Sequence, residues 1–137
     1  MIRIATEADA PKISALMQSE PGFWKQDTRS NVLEIEIAAG KDLALVWEEE
    51  GEILGYACAH NLGFRAYLSD LIVAKTARNR GIGRQLLERI EAKLRQRGCP
   101  VIFSDVWRTA ESFYRSLGWS EPDVSLLRKR LEMEPSP

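Results

Sequence analysis

The sequence predicts an α/β fold of the α+β kind: a mostly antiparallel mixed sheet flanked by helices, with one strand–helix crossover near its centre. Three observations predict it. Two-residue and helical apolar periods alternate along the whole chain. One strongly apolar strand, "DLIV", runs through the glycine-containing loop "AKTARNRGIG" into a long amphipathic segment, the mark of a crossover. The 137 residues contain no repeat, linker or low-complexity stretch, which fits one domain over residues 1–132 with a frayed tail at 133–137.

The elements follow in order. "IRIA" alternates as a first strand, and Thr6 can cap a helix whose first turn holds Glu7 and Asp9. Ile13, Leu16 and Met17 give that helix its apolar stripe. Pro21 and Gly22 break the pattern, and a second helix is expected over 28–39. "DLALVWEEEGEILGYACAH" reads as a hairpin turning at Glu49–Glu50–Gly51–Glu52, and "RAYLSDLIV" as the next strand. The run Leu71, Ile72, Val73 suits a strand covered on both faces.

In the long helix, Leu86, Leu87, Ile90 and Leu94 share one face, and Glu88, Arg89, Glu91, Lys93 and Arg95 the other. Gly98 closes it and Pro100 prevents its continuation. "VIFSDVW" reads as a strand, Thr109 as the cap of the short helix "AESFYRSL", which Gly118 ends, and "DVSLLRKRLEM" as a last strand.

Charge and cysteines exclude some classes of function. A net charge of −1 leaves no overall footprint for nucleic acid or a membrane surface, so any basic site is local. Cys58 and Cys99 form no CxxC pair, and the lone His60 argues against a zinc site, so no metal is expected. "IRIATEAD" after Met1 reads as neither a signal nor a transit peptide, and no apolar run is long enough to span a bilayer. The expectation is a cytoplasmic protein.

The local basic site is "TARNRGIGRQLLERI". Gly81 and Gly83 stand where a loop becomes a helix, so the backbone can approach an anion at the helix N-terminus. Arg78, Arg80 and Arg84 surround the turn. Alone, these residues are equally compatible with a turn and solvated arginines. A P-loop is excluded, since no GxxxxGK[ST] occurs. A dinucleotide fingerprint is excluded by Leu86 at the third small position.

"RNRGIG" matches Arg/Gln-x-x-Gly-x-Gly/Ala at Arg78, Gly81 and Gly83. Further on, "AESFYRSLGW" matches A-x-x-x-Y-x-x-x-G-F at Ala110, Tyr114 and Gly118, with Trp119 as the aromatic. With their spacing and order, these motifs resemble the GNAT (GCN5-related) N-acetyltransferase superfamily, most nearly its small bacterial single-domain members. The resemblance implies about six to seven strands, about four helices and acetyl-CoA as co-substrate. It implies pantetheine pairing along Leu71, Ile72 and Val73. It places the pyrophosphate against Arg78, Asn79, Arg80, Gly81, Ile82, Gly83 and Arg84. Trp107 occupies a position where the family commonly has an Asn that touches the pantetheine. A homodimer is a family-based expectation.

For chemistry, Tyr114 is the candidate general acid, since a phenol stays protonated at neutral pH and can donate to a leaving thiolate. It also fits simple packing beside Phe113. Asp70 can orient an ammonium or take its proton, and also fits an ion pair. His60 is a candidate relay or a structural residue. Phe23 and Trp24, with Asp27, can form a mouth for an amine together with Glu20 and Asp70. The expected activity is acetyl transfer to a primary amine of a small molecule or peptide, in a ternary complex. The rival readings are a catalytically silent acyl-CoA-binding module and a phosphate- or mononucleotide-binding regulatory domain.

Overall fold

The computed structural model describes residues 1–21 and 30–134. The chain forms two compact units, 1–104 and 105–137. The first holds a five-stranded sheet in the order β1 (Ile2–Ile4), β2 (Ala44–Glu49), β3 (Glu52–Asn61), β4 (Ala66–Val73), β5 (Ile102–Phe103). All pairs are antiparallel except β4–β5, which run parallel around the crossover helix α3 (Ile82–Gln96).

Local chemistry explains the connections. The β2–β3 turn puts Glu50 at φ 50° and Gly51 at φ 79°, the two positive angles of a type I′ hairpin turn. Asp9 closes the start of the first helical stretch: its Oδ2 accepts from the Thr6 backbone N–H at 2.8 Å. A 3₁₀ turn over Glu7–Asp9 then leads into α1 (Ala10–Gln18). Arg3 from β1 grips the same carboxylate with both terminal nitrogens, each at 2.8 Å. At the end of α3, Gly98 takes φ 76° and the Cys99 N–H bonds the Leu94 carbonyl at 3.0 Å.

The two sheet faces are covered differently. Ile13, Leu16 and Met17 of α1 and Leu33 and Ile37 of α2 (Val32–Gly40) cluster with Tyr56, Cys58 and Ile72. The opposite face receives α3. A Cβ on Gly55 would lie 2.9 Å from Ile82 and 3.2 Å from Leu86, so α3 sits directly on that glycine. Leu71 and Val73 are half-buried while Ile72 is buried, so the apolar run at the end of β4 is fully covered on one face only.

Several expectations are corrected. The described part of the second helix begins at Val32 and runs to Gly40. β5 has two residues rather than seven, because its partner β4 bulges immediately beyond the paired stretch. Ser104, just past β5, still donates its hydroxyl to the Leu68 carbonyl at 2.9 Å. The segment "DVSLLRKRLEM" forms no strand, so among the described residues the sheet has five strands and not six or seven. Its apolar residues Val124, Leu126, Leu127, Leu131 and Met133 are all exposed. A strand's hydrogen bonds come from a neighbouring strand, which the composition of one segment does not supply.

The second unit carries α4 (Glu111–Ser116). Thr109 lies inside a 3₁₀ turn over Arg108–Ala110 that opens at Trp107, and so does not cap α4. Gly118, at φ 93°, terminates the helix as expected.

Candidate functional site

The glycine–arginine loop is a helix N-terminus with unusual backbone angles. Gly81 is the N-cap of α3 at φ 79°, and Asn79 stands at φ 66°. The first N–H groups of a helix have no partner within it, and Ile82 and Gly83, buried at the start of α3, begin that turn. A Cβ on Gly81 would meet only the Arg84 and Gln85 side-chain ends, each at 3.6 Å. The left-handed angle, more than lack of space, calls for glycine there.

The arginines are not simply solvated. Arg78 pairs with Glu20, and its Nε donates to the Val73 carbonyl at 3.3 Å. Arg80 pairs with Glu49, and Arg84 stands 3.9 Å from Glu88. Glu20 thus stands against the glycine–arginine loop, paired with Arg78.

The end of β4 is a half-used sheet edge. β4 pairs with β3 from Ala66 to Val73, but with β5 only at Ala66 and Tyr67. Among the described residues, no strand pairs with Leu71–Val73 on the β5 side.

Between the two stretches lies the bulge. Cys58 pairs with Asp70 and Ala59 with Leu68, so Ser69 is an extra residue in β4. A bulge abandons strict alternation. Here Ser69 and Asp70 both reach Glu36, on the face under α2. Asp70 therefore lies within β4, three residues before its end.

Glu36 is the centre that sequence reasoning missed. One carboxylate oxygen accepts from the Tyr56 hydroxyl at 3.2 Å, and the other from Ser69. Ser69 Oγ also lies 3.0 Å from His60 Nε2 and 3.1 Å from the Cys58 carbonyl oxygen. A signal existed: Glu36 falls between Leu33 and Gly40 on the buried side of a mainly apolar helix that holds one other charged residue, Glu34.

Burial and the neighbouring Glu36 push the Asp70 carboxyl up to about 9. The shift favours the neutral form of Asp70 beside Glu36. Burial likewise raises the Tyr56 phenol and pushes the Cys58 thiol up to about 12, so both stay protonated.

In the second unit, Tyr114 is buried on α4 and stacked edge-to-face between Phe113, at 5.3 Å, and Trp119, at 5.2 Å. Trp107 is 55% exposed at the turn preceding α4. Phe23, Trp24 and Asp27 lie outside the described residues.

A family model described as "Acetyltransferase (GNAT) family" matches residues 11–119. Among solved structures, a transcriptional regulator from Bacillus halodurans C-125 is similar with a TM-score of 0.77 at 21% identity, over 96% of this chain and 99% of that one. A Trypanosoma brucei acetyltransferase matches with a TM-score of 0.71 at 22% identity, over 97% and 99%. An aminoglycoside acetyltransferase from an uncultured soil metagenomic sample matches with a TM-score of 0.70 at 21% identity, over 96% of both chains. At these identities the structures speak for the fold, while the family match spans most of the chain. The motifs at Arg78–Gly83 and Ala110–Gly118, the open edge of β4 and the matched model together place this chain in the GNAT acetyltransferase family.

Proposed function

We propose that the protein is an acetyl-CoA-dependent N-acetyltransferase that moves the acetyl group directly to a primary amine in a ternary complex. The observation that carries the reading is the continuity of β4. Its unpaired edge at Leu71–Val73 leads toward the Gly81 turn at one end, and its bulge at Ser69–Asp70 meets the Glu36 cluster at the other. One strand thus joins a site for an extended amide-bearing arm, a phosphate site and a proton-accepting group.

The pantetheine arm pairs with the backbone of Leu71, Ile72 and Val73 as an added strand would. Its pyrophosphate takes the free N–H groups at the start of α3 and displaces Glu20 and Glu49 from Arg78 and Arg80. The neutral amine attacks the thioester carbonyl carbon, and the tetrahedral adduct collapses with cleavage of the C–S bond. Tyr114 gives its proton to the departing thiolate, a role assigned from the signature Ala110–Gly118. The proton lost by the amine goes to Glu36, whose oxygens are oriented by Tyr56 and Ser69, with His60 beside Ser69 as an outlet to solvent. Holding both substrates together is worth about 7–11 kcal/mol of barrier, so no covalent enzyme intermediate is needed. The similarity to an aminoglycoside acetyltransferase favours a small polyamine-bearing acceptor.

The test is an acetylation screen over aminoglycosides, polyamines and peptide amines, with product identified by mass. Glu36→Gln should retain acetyl-CoA binding and lose at least about 10²-fold in kcat. Tight CoA binding with no product from any amine would favour a silent acyl-CoA-binding module, a reading to which Trp107 at the usual Asn position lends weight. Displacement of CoA by ATP would point to a general nucleotide site.

A further inference from the structure

The Glu36 cluster contains three different metal-binding side chains. Cys58 and His60 stand two apart on β3, so both project to the face under α2. Glu36 comes down on them from α2. The Glu36 carboxylate, the Cys58 sulfur and a His60 ring nitrogen all lie within 4.8 Å of one another, and Cys58 Sγ and His60 Nε2 are 3.8 Å apart. Zinc bonds of about 2.0–2.3 Å place tetrahedral ligand atoms ~3.3–3.7 Å apart. The two β3 donors already stand near one edge of that tetrahedron, and Glu36 needs to close by about 1 Å.

We propose that Glu36, Cys58 and His60 form a three-ligand zinc site with an open fourth position. The donor types favour a borderline cation over magnesium or calcium, which prefer oxygen alone. Charge balances as well: one thiolate, one carboxylate and a neutral imidazole cancel the two charges of the ion, which suits a partly dry location. On binding, the Cys58 S–H bond breaks, its proton passes to solvent and a Zn–S bond forms. The supports are in place. Tyr56 and Ser69 orient the Glu36 carboxylate, and Cys58 is fixed in the sheet floor. Glu36 and His60 are half-buried and give the ion a way in. Lone-histidine arithmetic hides this site because its donors are spread over positions 36, 58 and 60 and meet only in the fold.

The assignment rests on the cluster's geometry and not on the acetyl-transfer reading, with which it competes for Glu36, since a bound ion takes the carboxylate which that reading uses as proton acceptor. The test therefore measures binding without substrates. Full-length protein is stripped with EDTA, dialysed, and titrated with zinc by calorimetry and with cobalt(II) by absorption. One equivalent should bind, and cobalt should develop a thiolate charge-transfer band in the near ultraviolet. Cys58→Ser should abolish the band and weaken zinc at least about 10-fold, and His60→Gln should weaken zinc to a similar degree. Cys99→Ser should leave both signals unchanged. If Cys58→Ser fails to fold, the wild-type cobalt spectrum and His60→Gln still decide. Absence of the band in the wild type, or zinc binding indifferent to His60→Gln, overturns the proposal.

Discussion

Gly40 packs directly on Cys58: a Cβ at position 40 would lie 2.6 Å from Cys58 Sγ, inside any real contact distance. The absence of a side chain there lets the last turn of α2 rest on β3, and it holds Glu36, one turn earlier, over Cys58, His60 and Ser69.

Gly40→Ala should therefore destabilise the protein by about 1–3 kcal/mol through overpacking, despite alanine's better helix propensity. Urea denaturation of Gly40→Ala, Cys58→Ala and the double variant tests it. Removing the sulfur should relieve the clash, giving a coupling of about 0.5–3 kcal/mol. Additive effects would mean that the two sites do not press on each other.

Gly81→Ala should cost about 1–2 kcal/mol, because φ 79° is left-handed while the space around a Cβ is adequate. Gly81→Asn should cost less, since asparagine tolerates that region better. Gly81→Glu should add repulsion toward the pyrophosphate, so calorimetry should show CoA binding weakened well beyond the Gly81→Ala value. Equal CoA affinities for the alanine and glutamate variants would remove the anion from the α3 N-terminus.

Tyr114→Phe keeps the ring between Phe113 and Trp119 and removes the proton. The expected result is a fall in kcat of about 10²–10⁴ with acetyl-CoA affinity nearly unchanged. Steady-state kinetics on the best amine reads this directly. An unaltered kcat, with chemistry shown to be rate-limiting, would leave Tyr114 a packing residue.

Acid stability should depend on Asp9. The doubly hydrogen-bonded Arg3 guanidinium holds its carboxyl down to about 2, from an ordinary 3.8. A depressed carboxylate stabilises the fold above its unfolded value, and that contribution disappears as pH falls from about 4 toward 2. Arg3 is partly exposed, so screening limits the contribution to about 1–2 kcal/mol. Asp9→Asn should lower stability at pH 7 by that amount and flatten the decline between pH 4 and 2 in urea titrations.

Much of the architecture was legible because it rests on local chemistry. The type I′ turn follows from Glu50–Gly51, the end of α3 from Gly98 and Pro100, and the buried face of α3 from Leu86, Leu87, Ile90 and Leu94. Each depends on residues within a turn or two of one another, where backbone angles and period leave few choices. The glycine–arginine loop was legible for the same reason, since a glycine needed at positive φ next to a helix start is a local requirement. The tail was misread because apolar residues such as Val124, Leu126 and Leu131 record at most a capacity to pair, and the partner that would realise it is not in the pattern.

By itself, then, the sequence determined the order of elements up to α4, the crossover and the glycine-bearing start of α3, all written in short-range periodicity, turn chemistry and two spaced motifs. Only the tertiary structure decided the surroundings of Glu36. The bulge at Ser69 lets two successive β4 residues meet Glu36, and the bare surface of Gly40 lets α2 close onto Cys58. The same convergence raises the Asp70 carboxyl, through burial beside a glutamate 34 positions away in the sequence. Long-range contacts of this kind set desolvation and proton affinity through distances of a few ångströms, which residue spacing along the chain does not encode.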